Sequence, residues 1–475
     1  MKNYLIAILS ILSIASFAQD TLFGYAPDYA GEKVKLYTYQ DYITRTRVVI
    51  GEGEVSKEDS IFRIELNNKG TLKGIVEIEK SEAEIYLAPK TSYQVYYEKP
   101  YDQPLSFNNQ HVSLIFFGLD TADINYRIMQ YNIWFDTFIS YYHREIAAGL
   151  LATCLDTFKI SVAEKYKDVQ DEYFLTHVRY NIADVEQTLT GQSGKNRLDT
   201  YLEYIEPYPI YYENEQYMQF VLNFYHMDFE DYPPEMEANM FGAIQIASPT
   251  LLMRHMGIDL LLERPDIREM VMIDKLGKLF YNDNRSKANV LVMLDSLAGH
   301  ALNIHDAAAS KNVKNYLTSL EPGFPAPLLN VNYNDSTLTW NSYSGRYVYL
   351  NFFSTWSDQS LLEMKVIDSL EEKYGNDISF LSICTDAKRK TYDQYLKDHP
   401  DMDWDIVYVG ENDPLLTNFR VETYPQYFLI DQSGFIVAAP APGPAPNGEY
   451  ESIEKTLFTI QQALNPGRTF RTGQY

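Results

Sequence analysis

The sequence predicts a multidomain α+β chain in three parts: an N-terminal antiparallel β-sandwich, a helical middle region and a C-terminal α/β domain. Three observations predict it. Short runs rich in β-branched and aromatic residues fill 19 to about 105. Apolar residues recur every three or four positions from about 110 to 320. After a proline-rich break, strands and helices alternate to the end. A chain of 475 residues suggests about three domains at roughly 150 residues each. The divisions that follow are 1–18, 19–105, 106–322 and 323–475.

The first segment reads as an export signal. Lys2 gives a positive start, Leu5 to Ile14 is apolar apart from Ser10 and Ser13, and Ser16-Phe17-Ala18 puts small residues at the −3 and −1 positions of a cleavage site. The expected cut is after Ala18. The apolar core is shorter than the roughly 20 residues of a membrane span, and no later stretch is long and apolar enough for one. No cysteine follows the signal, so a lipid anchor there is not expected. These features predict an exported, periplasmic protein of the cell envelope without a membrane span.

The β-rich part contains "EKVKLYTY", "RVVIGEGEV", "IFRIEL", "LKGIVEIE", "AEIYLA" and "YQVYYE", separated by Gly, Asn, Asp and Lys clusters at short intervals. "GEGEV", Gly51 to Val55, opens no helix and reads as a turn or bulge, not a phosphate loop. In the middle part, "DINYRIMQYNIWFDTFISYYHREIAAGLLATCLDTF", "DEYFLTHVRYNIADVEQTL" and "SKANVLVMLDSLAGHALNI" carry helical periodicity. "EPGFPAP", Glu321 to Pro327, ends the last of these helices, because proline fixes φ and lacks a backbone donor. Beyond it come the strand "RYVYLNFF", the helix "SDQSLLEMKVIDSLEEKYG", the strand "ISFLSICTD", the helix "KTYDQYLKDH", the strands "PQYFLID" and "GFIVAAP" about a turn, and the helix "YESIEKTLFTIQQAL".

Composition narrows the function. A formal charge of −25 repels phosphate backbones and anionic headgroups, so no nucleic-acid partner is expected. The 40 tyrosines suit amphipathic packing, with rings buried and hydroxyls wet. Cys154 and Cys384 are the two cysteines, and their separation fits neither a CxxC pair nor a zinc site. His300 and His305 do not share a helix face, His143 and Glu145 stand isolated, and HExxH is absent. No metal or cofactor is therefore expected.

One stretch carries chemistry. Along the chain come the lead-in "GFPAPLL", the strand and helix of "YLNFFSTWSDQSLLEMKVIDSLEEKYG", and the proline-led strand of "VETYPQYFLID". On these the C-terminal third, about 325 to 465, resembles the thioredoxin-like domains of exported TlpA/ResA-type thiol-disulfide oxidoreductases. The resemblance implies a thioredoxin-like fold and a Trp-Cys-x-x-Cys active site. Here the corresponding stretch is Trp356-Ser357-Asp358-Gln359-Ser360, with serine at both cysteine positions. Serine forms no disulfide and cannot carry the electron pair that a thiolate passes on. Ser357 suits a helix N-cap instead, and Asp358 suits the positive end of the helix dipole. Ser357 as a hydrolase nucleophile lacks a G-x-S-x-G context, and His399 is the sole histidine of this part.

The resemblance also implies that the residue before Pro425 offers its backbone to an extended substrate. The expectation is a redox-inactive module binding an envelope protein or extended peptide through Trp356, Ser357, Asp358, Gln359, Ser360, Tyr424 and Pro425. The alternative is a thiol-disulfide oxidoreductase that uses Cys384, Cys154 or a partner protein. A third reading puts glycan or protein binding on an aromatic patch of the β-rich part. "PAPGPAPNG", Pro440 to Gly448, reads as a stiff loop that either covers the site or connects two elements.

Overall fold

The computed structural model describes residues 20–79, 81–99, 110–147, 151–188, 197–282, 286–333, 336–411, 413–445 and 452–466. The expected signal segment 1–18 lies outside the described residues. So do the expected boundary at 105 and 106 and residues 446–448 of the proline-rich segment. The chain divides into two compact units, Met1–Lys314 and Asn315–Tyr475.

The first unit opens with two sheets. Strands β1 (Thr21–Tyr25), β2 (Lys33–Tyr39), β3 (Arg47–Glu54), β4 (Ile61–Glu65), β5 (Leu72–Ile78), β6 (Ser81–Leu87), β7 (Tyr93–Tyr97), β8 (Gln110–His111) and β9 (Leu114–Phe116) pair in the orders β4-β1-β7-β9 and β3-β2-β5-β6-β8. Alternate residues of β2 and β7 are buried, as a one-sided pleat requires. Leu22, Phe62 and Val95 of one sheet close on Leu36, Val76 and Ile85 of the other. The sandwich is mostly antiparallel, but β1–β7 and β6–β8 pair in parallel. Those pairs join strands far apart in the chain, which the spacing of hairpin turns cannot reveal. The "GEGEV" segment lies in β3, where a bulge beside Gly51 shifts the register against β2.

Helices follow: α1 (Ile124–Tyr141), α2 (His143–Ala147), α3 (Leu151–Lys165), α4 (Glu172–Thr188), α5 (Arg197–Tyr204), α6 (Glu215–Phe224), α7 (Pro234–Gln245), α8 (Pro249–Met256), α9 (Pro265–Asn282), α10 (Lys287–His300) and α11 (Ile304–Thr318). The change from strands to helices falls inside one compact unit, because buried polar groups fasten the two parts. Asn125 accepts from the backbone N–H of Tyr86 at 2.7 Å and donates to its carbonyl at 2.8 Å. The buried Lys73 of β5 pairs with Glu215 of α6 at 2.6 Å. Asn312 of α11 donates to Asp41 at 2.7 Å. Tyr86 and Ala88 also pack against the aromatic core of α1, α3 and α4. His177 is fully interior between Gln216 and Asn132, and burial lowers its pKa to about 4, so it is a neutral packing residue.

The second unit holds a short hairpin of β10 (Val331–Tyr333) and β11 (Ser336–Leu338), then a five-stranded sheet. That sheet contains β12 (Tyr347–Phe353), β13 (Ile378–Cys384), β14 (Asp405–Tyr408), β15 (Gln426–Ile430) and β16 (Ile436–Ala438), in the order β14-β13-β12-β15-β16. β13 and β14 run parallel to β12, and β15 runs antiparallel to it. β12 is buried on both faces. One face packs on α12 (Asp358–Tyr374), α13 (Arg389–Asp398) and α15 (Glu454–Leu464), through Met364, Ile367, Tyr395 and Leu457. The other packs on the lead-in residues Leu329 and Val331, and on Leu415 of α14 (Pro414–Asn418) with Phe419 beyond it. The lead-in runs beside β16, with Ala326 N–H donating to Gly434 O at 2.9 Å.

Candidate functional site

The site forms where β12 runs out and α12 begins. The loop Ser354–Ser357 leaves the sheet at the C-terminal end of a central parallel strand, where α/β sheets commonly place their ligands. Its anchor is Asp386, just beyond β13. The parallel register sets Phe353 against Cys384, so the residues that follow each strand also lie side by side. Asp386 is buried and accepts from Ser354 Oγ at 2.5 Å, Thr355 N at 2.8 Å, Thr355 Oγ1 at 2.5 Å and Thr391 Oγ1 at 2.9 Å. Sequence reading missed this residue. The signal available was an acidic residue two positions past a strand end, which gains meaning only once β12 and β13 are known to pair.

Ser357 caps α12. Its φ of −91° and ψ of 108° are extended, and its Oγ accepts from Ser360 N at 3.3 Å. The same hydroxyl donates to the carbonyl of Tyr424 at 3.3 Å. That bond brings the helix start against the segment that opens β15, where the Tyr424–Pro425 peptide is cis. Trp356 is 43% exposed and stands edge-on to the Tyr424 ring at 5.8 Å. Ser360, one turn into α12, is buried, and its Oγ has no hydrogen-bond partner among the described residues. Asp358 and Gln359 point to solvent, and the Gln359 amide donates to Glu363 at 2.5 Å, down the helix. Trp356, Ser357, Tyr424 and Pro425 thus share one face, with Ser360 immediately beneath it.

The described part of the proline-rich segment lies against Tyr349 and Tyr427. Tyr349 OH donates to Pro442 O at 2.8 Å, and Ala441 N donates to Tyr427 O at 2.7 Å. His399 has its ring Nδ1 at 2.9 Å from Tyr395 O of its own helix. Cys384 is fully buried at the end of β13, and burial and Asp386 push its thiol well above the ordinary range. Cys154 is partly buried in α3 of the other unit. Among the described residues no three His, Cys, Asp or Glu side chains gather as a metal site. No described helix is long and apolar enough to cross a membrane.

Residues 345–436 match the thioredoxin-like family model. The C-terminal unit carries a thioredoxin-like domain. The match begins just before β12, contains the Trp356–Ser360 stretch and Pro425, and ends at the start of β16. Solved structures similar to this part include a proposed thiol-disulfide oxidoreductase from Bacteroides vulgatus, 28% identical over 30% of this chain and 99% of that one, with a TM-score of 0.25. A proposed thiol:disulfide interchange protein DsbE from Chlorobium tepidum is 19% identical over 30% of this chain and 97% of its own, with a TM-score of 0.27. A thiol-disulfide oxidoreductase from Bacteroides fragilis is 21% identical over 29% and 98%, with a TM-score of 0.24. No curated protein matches the chain.

Proposed function

We propose that the thioredoxin-like domain of this exported envelope protein binds a protein or extended peptide and carries out no thiol chemistry. The observation that carries this reading is the junction of Ser357 and Tyr424. A hydroxyl occupies the helix start where the family resemblance calls for a thiolate, and it is already engaged by the carbonyl before Pro425. The exposed Trp356 ring beside Tyr424 supplies an apolar surface for an extended chain. The alternative, an oxidoreductase working through Cys384, meets an interior thiol whose ionised form is strongly disfavoured by burial.

The test compares the natural chain with the double variant Ser357→Cys, Ser360→Cys for turnover of a disulfide-linked peptide, with dithiothreitol as reductant. In the variant the two thiols give up two electrons and two protons to the peptide disulfide and close their own disulfide, which dithiothreitol reopens. The expected result is a silent natural chain and an active variant. The companion measurement is quenching of Trp356 fluorescence by an unfolded, thiol-blocked polypeptide, expected in the natural chain and absent in Trp356→Ala. Activity of the natural chain that Cys384→Ser abolishes would overturn the proposal, as would binding indifferent to Trp356.

A further inference from the structure

The first unit contains a cleft remote in sequence from the loop just described, and its lining selects a chemistry. The cleft has a volume of about 260 Å³ and is lined by Tyr173, Thr176, Tyr211, Tyr212, Glu213 and His305, among others. Tyr173 and Thr176 stand three apart on α4 and so share a helix face. Tyr211, Tyr212 and Glu213 form the approach to α6, held by Asn214, whose side chain caps that helix by accepting from Tyr217 N. His305, at the start of α11, stacks on Tyr212 with ring centres 4.4 Å apart and planes 6° from parallel.

The tyrosine hydroxyls and the Asn214 amide of the lining are already engaged. Tyr173 OH donates to the carbonyl of Glu213 at 3.2 Å, Tyr211 OH to Glu172 at 2.7 Å and Tyr212 OH to Asp306 at 3.1 Å. Asn214 donates to the carbonyl of Tyr173 at 3.3 Å. What remains is electron-rich: phenol lone pairs, ring faces and the half-exposed Glu213 carboxylate, whose Oε1 lies 4.0 Å from His305 Nδ1. Among the described residues no lysine or arginine lines the cleft. Arg179, a cation outside the lining, pairs with Glu172 at 3.7 Å and stacks at 4.0 Å over Tyr208.

A second, independent feature points the same way. Thr176 is fully buried, and its Oγ1 has no hydrogen-bond partner among the described residues. Buried hydroxyls are normally satisfied, so an orphan lining a cleft is a vacant acceptor for an incoming donor. Aromatic faces attract cations, a carboxylate pairs with them, and a bare hydroxyl oxygen accepts from an N–H. The cleft falls below the roughly 300–1,000 Å³ of pockets that take drug-sized ligands, which suits a single alkyl arm.

We infer that this cleft binds a primary alkylammonium group, presented as a lysine-type side chain of a peptide or as a free amine. The ammonium sits against the tyrosine rings, pairs with Glu213 and donates one N–H to Thr176 Oγ1.

The test is ligand-observed saturation-transfer NMR on the full chain. The probes are n-butylamine and a Gly-Lys-Gly peptide, with n-butanol, a norleucine peptide and methyl glucoside as neutral controls. Both ammonium probes are expected to bind and the neutral ones to fail. Thr176→Val should weaken binding roughly tenfold, and Glu213→Gln about three- to fivefold. Thr176→Ser, which keeps the hydroxyl, should retain it and guards against a folding artefact. A peptide that outcompetes butylamine assigns the ammonium to a polypeptide partner, and equal binding assigns it to a free amine; both uphold the chemistry. No saturation of the ammonium probes, equal binding of the neutral controls, or binding unchanged in Thr176→Val would overturn it.

Discussion

Asp386→Ala tests the account of how the Trp356 loop is held. Four donors converge on this buried carboxylate, two from hydroxyls at 2.5 Å, one from a hydroxyl at 2.9 Å and one from a backbone N–H at 2.8 Å. Ser354, one of the donors, is itself fully buried. Removing the acceptor strands these groups away from water, and each stranded group costs about 1–3 kcal/mol. Because several donors can turn or reach solvent, the sum is smaller than the parts, and a loss of roughly 3–5 kcal/mol is expected. In urea, at about 2 kcal/mol per molar, that moves the midpoint of the C-terminal unit down by about 2 M. Tryptophan fluorescence isolates this transition well, since Trp340, Trp356 and Trp404 lie in the C-terminal unit and Trp134 in the other. Asp386→Asn is the control. Its Oδ1 still accepts from Ser354 and Thr355 N, and the Thr355 and Thr391 hydroxyls can reverse to accept from the new amide. Its cost should stay under about 2 kcal/mol. A midpoint shift below about 0.5 M for Asp386→Ala would refute the clamp. Equal losses in both variants would show that negative charge, not acceptor geometry, holds the loop.

Ser357→Ala and Ser360→Ala should part company: the first loses an N-cap and costs about 1 kcal/mol, whereas the second removes an unpartnered buried hydroxyl and should be neutral or stabilising by up to about 1 kcal/mol. Both are read by urea unfolding, and equal costs would contradict the geometry. Asp306 is fully buried, and burial first, then Glu269, raises its pKa from 3.8 to about 7 despite hydrogen bonds from Asn303 and Tyr212. The folded state therefore holds an extra proton between these values, so stability falls as pH rises from about 4 to 7 and then levels, a total of roughly 4 kcal/mol. Asp306→Asn should flatten that part of a calorimetric Tm profile, and an unchanged profile would exclude Asp306 as its source. Gly24 faces the buried Phe62 ring so closely that a Cβ would lie 2.0 Å from it, so Gly24→Ala should destabilise the first unit by about 2–3 kcal/mol in calorimetry.

The order of the longer elements in the C-terminal unit was legible because their signals are local, whereas the short β10, β11, β14 and α14 were not read. "RYVYLNFF" is apolar apart from Arg346 and Asn351 and became a strand buried on both faces, and Gly375 stops α12 where the periodicity ends. Ser357 was legible as a cap for the same reason: capping depends on one side chain and the next three residues. Asp386 was not, because its role depends on a strand pairing that brings 354–355 beside it. The parallel partners of β1 and β6 were hidden likewise, since nothing local distinguishes a parallel neighbour from a hairpin one. The tyrosine cleft escaped notice because its walls come from two helices and a connecting segment more than a hundred residues apart at their extremes.

The sequence by itself determined the type of most of the longer segments (but not β8 and β9, which lie where it predicted helix, nor β14), the serines at 357 and 360, and the acidic character of the chain. Those are matters of residue type and short-range period. Only the tertiary structure decided which hydroxyls found partners. Ser357 is engaged by Tyr424 while Ser360 and Thr176 are left without any, and identical functional groups came to opposite ends. The reason is physical: a hydrogen bond needs a partner within about 3 Å in a fixed direction. For residues distant in the chain, that partner is supplied by packing alone.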